Sequence, residues 1–254
     1  MQRYFILEDE QWSDEAVTII GDDVHHIYRV MRSQPGDQII CTGRNGATAI
    51  CAIEAISSNQ VTARIMEWVR QDVELPINVT IAQGLPKGDK FELILQKGTE
   101  LGATSFIPYK AERSIVVWDE KKMRKKQQRF EKIVKEASEQ SHRSLIPTIQ
   151  DSVTLKQLLE LSKQYDACIF AYEEEARSSD FQSFATVLKK LQRGMNLIIC
   201  IGPEGGFSEN EAKALTERDF QAVRFGPRIL RTETAAIYAL ASISYHFEEL
   251  EWDT

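Results

Sequence analysis

Three short stretches hold residues whose types and spacing suit chemistry. In GPRILRTETAA (226 to 236), Arg231 and Glu233 bracket the start of a segment with helical periodicity, and Thr232 is the expected N-cap. An arginine at a helix N-terminus opposes the macrodipole, so a purely structural role explains Arg231 poorly. In IGPEGGFSENE (201 to 211), Ser208 with Glu211 has capping-box spacing, which starts a helix near 209 and leaves Gly202, Gly205 and Gly206 in the turn before it. Glycines there permit positive φ or the close approach of a ligand to backbone, and a glycine-rich turn without a ligand is the competing reading. The third stretch, AYEEEARSS (171 to 179), follows an apolar run, and most of its acids suit a solvated loop. Neither GxGxxG after a strand nor GxxxxGK[ST] occurs, so this is no ordinary nucleotide fold. There is also no HExxH and no GxSxG. His25 and His26 are adjacent, about 100° apart on a helix, and do not share a metal.

Elements that position these stretches can be read from periodicity. Residues 1 to about 72 are β-rich: RYFIL (3 to 7), AVTII (16 to 20), DQIIC (37 to 41), ATAICAIEAI (47 to 56) and VTARIMEWV (61 to 69) read as strands. The GRNG between the third and fourth signals a hairpin. DDVHHIYRVMR (22 to 32) reads as a helix, with Val24, Ile27, Tyr28 and Met31 at helical spacing. Short strands at this spacing predict a small barrel. After RQDVELP (70 to 76) strand and helix signals alternate: strands at 77 to 83, 104 to 109, 166 to 172, 195 to 201 and 220 to 226 each precede a helical pattern, the last running from about 233 to 249. That alternation predicts a parallel sheet covered on both faces, with ligands beyond the carboxyl ends of its strands.

The 254 residues are 43% hydrophobic and 27% charged, enough for two domains. No apolar run approaches the roughly 20 residues that span a bilayer. The opening MQRYFILEDEQW soon turns acidic, which is unlike a secretory signal and points to the cytoplasm. Four scattered cysteines form no CxxC pair, so reduced and mostly buried thiols are expected. Net charge is -7, which argues weakly against a nucleic-acid partner, yet KKMRKKQQRFEKIVK (121 to 135) carries eight basic residues and one acid. That run is either a solvated helix face or a phosphate-contacting surface.

The sequence resembles the RsmE family of ribosomal RNA methyltransferases, within the SPOUT superfamily. The resemblance rests on HHIYRVMR, LPKGDKFELILQKGTELGA (85 to 103), ERS (112 to 114), EASEQSHR (136 to 143), IGPEGGFSENE and RILRTETAA, in that order over roughly 200 residues. Departures are small: His142 stands where the family pattern has glycine, and Met31 and Phe225 where it has leucine.

The resemblance implies an α/β fold. A small PUA-like RNA-binding β-barrel over residues 1–72 precedes a SPOUT methyltransferase domain over residues 73–254, a parallel sheet with a C-terminal trefoil knot. It implies S-adenosylmethionine-dependent methylation of N3 of a decoding-centre uridine in 16S ribosomal RNA, on the assembled small subunit, by a homodimer that needs no metal or membrane. Cofactor contacts would come from Ala171, Tyr172, Gly202, Pro203, Glu204, Gly205, Gly206, Leu230, Arg231, Thr232, Thr234 and Ala235. Arg231 would stabilise the uridine anion, while Glu233 would either take the proton or, the favoured role, orient Arg231. RNA contacts would come from Arg3, His25, Arg29, Arg32, Lys87, Lys90, Arg113 and Arg143, with the basic run at 121 to 135 as a phosphate surface. Two other readings are a non-catalytic RNA-binding protein on the same fold and a nucleotide-dependent oxidoreductase, against which the missing GxGxxG counts.

Overall fold

The computed structural model describes residues 1–70, 73–116, 118, 120–172 and 182–250. The acids at 173 to 175 and Asp72, the expected end of the first domain, lie outside the described residues. The chain divides into two units, Met1–Glu74 with Ser138–Leu145, and Leu75–Ala137 with Ile146–Thr254. Residues 138–145, expected in the second domain, therefore group with the first unit.

The first unit is a five-stranded sheet. Its strands are β1 (Arg3–Ile6), β2 (Ala16–Ile20), β3 (Gln38–Gly43), β4 (Thr48–Ile56) and β5 (Gln60–Val69), in the order β1-β3-β4-β5-β2. Trp12 links the two edge strands: its indole N–H donates to the Ile6 carbonyl at 3.1 Å, and its backbone bridges Val17. Two register shifts between β4 and β5 increase the local twist of this sheet. Alternate residues of each strand, among them Cys41, Cys51, Ile53, Val61 and Ala63, fill one core.

The expected helix at 22 to 32 is only partly α-helical. Helix α1 (Asp22–His25) passes into a π turn over His26–Val30. Val24 and Ile27 are buried as their spacing predicts, but Tyr28 and Met31 are 48% and 47% exposed. The wider i to i+5 turn carries the later side chains off the apolar face.

Two arginines expected to meet RNA instead hold this unit together. Arg3 is 0% exposed and donates to the Thr42 hydroxyl at 3.1 Å and the Arg143 carbonyl at 2.8 Å. Arg143 is 3% exposed, and its Nε and Nη2 both donate to Oε2 of Glu74, at 3.0 and 2.5 Å. Oε1 of Glu74 accepts from the Ser144 N–H and hydroxyl and from the Leu145 N–H. A buried guanidinium is stable only when paired in this way, and it presents no surface to a nucleic acid. For Arg3 and Arg143 the RNA expectation is corrected.

His142 sits at φ 58°. The Arg143 N–H bonds the Ser138 carbonyl at 3.0 Å and the His142 N–H the Glu139 carbonyl at 3.4 Å, the paired bonds of a Schellman helix end. Such an end favours glycine, which explains the glycine of the family pattern. We expect His142→Gly to stabilise the protein by about 1 kcal/mol in urea unfolding, since a side chain in the left-handed region costs about 1–2 kcal/mol. A drop in stability would mean that the imidazole makes compensating contacts.

The second unit is a seven-stranded parallel sheet. Its strands are β6 (Asn78–Gly84), β7 (Ser105–Tyr109), β8 (Thr148–Ile149), β9 (Ala167–Ala171), β10 (Gln182–Ser183), β11 (Asn196–Ile201) and β12 (Gln221–Arg224), in the order β10-β12-β9-β11-β6-β7-β8. The helices are α2 (Lys90–Glu100), α3 (Glu120–Gln140), α4 (Leu155–Leu161), α5 (Phe184–Leu188), α6 (Glu209–Thr216) and α7 (Thr232–Ser244), which continues as a π turn to Leu250. Strand β11 shows why helices cover both faces: Leu197, Ile199 and Ile201 join one core with α2, α3, α5 and α7, while Ile198 and Cys200 join the other with α4 and α6. The chain runs from β6 outward through β7 and β8, then returns to build the other side. That reversal beside β6 is the topological switch at which open sheets bind ligands. No helix among the described residues is long and apolar enough to cross a membrane.

Candidate active site

Beyond the carboxyl ends of β9, β11 and β12 lies a cavity of about 600 Å³. Its walls are the loop 202–207 after β11 and the loop 225–231 after β12, with Ala171 and Tyr172 closing one side. Eleven of the twelve residues expected to hold a cofactor line it; Thr234 does not. Leu230, Ala235 and Ile201 supply apolar wall, and Arg113, Lys90 and Glu204 supply charge.

The glycine corner is shaped by close packing. A Cβ on Gly84, the last residue of β6, would lie 2.5 Å from the Pro203 nitrogen and 2.9 Å from the Gly202 carbonyl carbon. Residues 202 and 203 therefore cross directly over the end of β6. Gly206 adopts φ 67° and closes a turn onto the Pro203 carbonyl at 2.9 Å. This loop is held from below by the predicted capping box. Ser208 and Glu211 bond reciprocally, and the buried Glu211 also accepts from the Tyr109 hydroxyl and the Glu112 N–H. Burial, the neighbouring Cys200 and Glu211 push the Tyr109 phenol far above its usual range, so it stays a donor.

Thr232 departs from its expected place. The N-cap of α7 is Arg231, and Thr232 is the first helical residue. Its hydroxyl, not needed at the helix end, donates to the Gly202 carbonyl at 2.6 Å and accepts from Gln83 at 2.7 Å. The start of α7 is thereby tied to the glycine corner and to β6. Arg231, just before it in the chain, is exposed; its carbonyl accepts from the Ala235 N–H at 2.8 Å, but its side chain has no hydrogen bond or ion pair among the described residues.

The expected orienting contact between Glu233 and Arg231 is not present. Glu233 instead approaches Lys90, Oε2 to Nζ at 3.5 Å, and Glu204 takes the same ammonium at 2.8 Å. Glu204 also accepts from the Lys87 N–H at 3.1 Å. Its hydrogen bond to Glu204 raises the Lys90 pKa; burial opposes the ionised form of Glu204, but Lys90 and two backbone donors outweigh it and lower its pKa. Lys90, expected among the RNA contacts, thus pins the start of α7 to the loop after β11. Arg113 reaches the Gly205 carbonyl at 3.3 Å, at the cavity wall. Lys87, His25, Arg29 and Arg32 are exposed, and Arg29 lies over the Tyr28 ring. The Lys90 clamp carries no local signal, because Glu204 is 114 residues away in the chain and Glu233 lies farther still.

Residues 73–244 match the RNA methyltransferase domain family and residues 19–66 the RNA methyltransferase PUA domain family. With the parallel sheet and its main-chain-walled cleft, these matches define the class: a SPOUT-like methyltransferase domain behind a PUA-like domain. The chain is 49% identical over 255 residues to Ribosomal RNA small subunit methyltransferase E of Bacillus subtilis, with 100% of both chains covered. It is 33% identical to the protein of that name from a Synechocystis strain, over 94% of this chain and 76% of that one. The chain belongs to the ribosomal RNA small subunit methyltransferase E family. Two solved structures superpose with TM-scores of 0.83 at 28% identity: a Legionella pneumophila protein with bound cofactor SAM, covering 95% of this chain and 96% of that one, and a Neisseria gonorrhoeae family member bound to S-adenosyl methionine, covering 96% and 97%.

Proposed function

We propose that this protein transfers a methyl group from S-adenosylmethionine to N3 of a decoding-centre uridine in 16S ribosomal RNA, acting in the cytoplasm as a homodimer on the assembled small subunit. The observation that carries the reading is the cavity itself. It is walled by main chain at 202–207 and by Leu230 and Ala235, and the Arg231 guanidinium, without a partner among the described residues, stands at its edge. The residues fit this cofactor, which has no pyrophosphate and needs no phosphate loop. The main chain of 202–207 and the apolar walls would hold its adenine, and Glu204, which lines the cavity, would add negative charge to suit a cationic ligand. The chain through 226–231 is taken as the threaded segment of a knot, in keeping with the Thr232 bond that fastens its end to Gly202. Exposed Leu93 on α2, Tyr238 on α7 and Tyr245 just after it suit a face between two copies.

When bound, S-adenosylmethionine supplies a methyl already activated on a sulfonium, so the N3–C bond forms as the C–S bond breaks. The task left to the protein is to favour the deprotonated imide and hold it in line. Arg231 stabilises the negative charge on O2 or O4 of the uridine as an oxyanion site does, and the N3 proton leaves to solvent. Glu233 lies outside the cavity lining and acts through Lys90 as a positioning residue. Small ribosomal subunits from cells lacking this protein, incubated with it and the cofactor, should gain one methyl on a single uridine, located by mass mapping. An isolated short hairpin should be a poor substrate. Equal modification of the hairpin would remove the assembled subunit from the account, and no modification of either would remove the methyltransferase.

A further inference from the structure

The acids of α3 lie in its later half, at Glu131, Glu136 and Glu139, apart from Glu120 at its start. The cations of that later half are engaged: Arg129 makes two bonds to Glu92, at 2.7 and 2.6 Å, and Lys132 lies 3.7 Å from Glu136. Lys126 stacks over the rings of Trp118 and Phe130, at 5.2 and 5.6 Å. The first two turns are different. Lys121, Arg124 and Lys125 are exposed and have no ionic partner among the described residues. They repel one another at i, i+3 and i, i+4 spacing, and Lys121, in the first turn, opposes the positive end of the helix dipole. A chain selected for helix stability alone would put acids here.

The position of this helix start relative to the cavity gives the cluster its meaning. Trp118 packs edge-on against Phe91 at 5.3 Å, and the next residue back, Lys90, lines the cavity. Five residues before Trp118, Arg113 lines it too. These three cations thus follow closely in the chain on a tryptophan that packs against the helix whose first residue lines the cavity, in a protein whose net charge is -7. We propose that Lys121, Arg124 and Lys125 form a docking edge for RNA phosphates that flank the nucleotide being methylated. Phosphates placed there neutralise the repulsion and occupy the anionic position that the helix N-terminus favours. The later half of α3, expected to share this role, is taken up by its own ion pairs. This inference rests on the RNA-methylating reading above.

The test is the triple variant Lys121→Gln, Arg124→Gln, Lys125→Gln, compared with wild type on small ribosomal subunits. Three lost phosphate contacts should flatten the salt dependence, so that between about 50 and 200 mM salt the wild-type KM rises roughly twenty- to fortyfold more than the variant's. Affinity for S-adenosylmethionine should be unchanged. Thermal stability should be equal or higher, because mutually repelling charges, one of them opposing the dipole, have been removed. Parallel salt dependences would overturn the proposal, and so would a variant that loses stability together with cofactor affinity. A wild type that methylates no RNA would sink the parent reading and this one with it, a result distinct from parallel slopes.

Discussion

Arg231→Ala should lower the methylation rate at least about a hundredfold, the scale seen when one charge-stabilising group is removed from an active site. The loss should fall on kcat rather than on folding. The Arg231 side chain makes no hydrogen bond or ion pair among the described residues, so truncating it orphans no partner. It also sits at the N-cap of α7 without capping it, where a cation opposes the dipole. The variant should therefore be as stable as wild type or more so, by up to about 1 kcal/mol. Activity and stability moving in opposite directions is the signature of a residue kept for chemistry. Arg231→Lys keeps the charge but not the planar fork, and should recover only part of the rate. An alanine variant with wild-type kcat would end the catalytic role of this side chain.

Gly84→Ala should be as damaging by a different route. The added methyl meets the backbone of residues 202 and 203 at distances no real Cβ tolerates, 2.5 Å to the Pro203 nitrogen, and main chain cannot rotate aside as a side chain can. Relief requires the loop after β11 to lift off the end of β6. That costs about 1–3 kcal/mol of stability as an overpacked site. It also displaces the wall that holds the cofactor, and a shift of about 1 Å in a reacting geometry can cost a hundredfold in kcat/KM. Cofactor titration and urea unfolding of the same sample check both parts. A variant that binds S-adenosylmethionine normally would show that the corner does not need its present height above the sheet.

What could be read in advance, and what could not, follows from the range of the interactions. Periodicity is local, so β11 and its alternating faces, the hairpin around 43 to 46 and the capping box at Ser208 and Glu211 were all legible. Two-residue strands such as β8 and β10 and the short helix α4 carry too few residues for a pattern, and went unread. The π turn after α1 was invisible because Tyr28 and Met31 obey the 3.6-residue spacing that the turn breaks. Charge misled at Arg3 and Arg143. An arginine reads as surface until its partners are known, and these partners lie 140 and 69 residues away in the sequence. The same long range hid the clamp at Lys90 and the return of residues 138–145 to the first unit. The glycine corner falls in the turn before α6, as the capping-box spacing predicted, and its bareness has a packing cause as well as the expected ligand. Close packing over Gly84 and the turn at Gly206 require bare backbone before any ligand is considered.

The most direct test is a crystal of the protein grown or soaked with S-adenosylmethionine. We expect the cofactor in the cavity beyond β9, β11 and β12, its adenine against the main chain of 202–207 and 226–231 and its methyl directed toward the Arg231 side. Cofactor density elsewhere on the chain, or this cavity vacant at saturating concentration, would contradict the account.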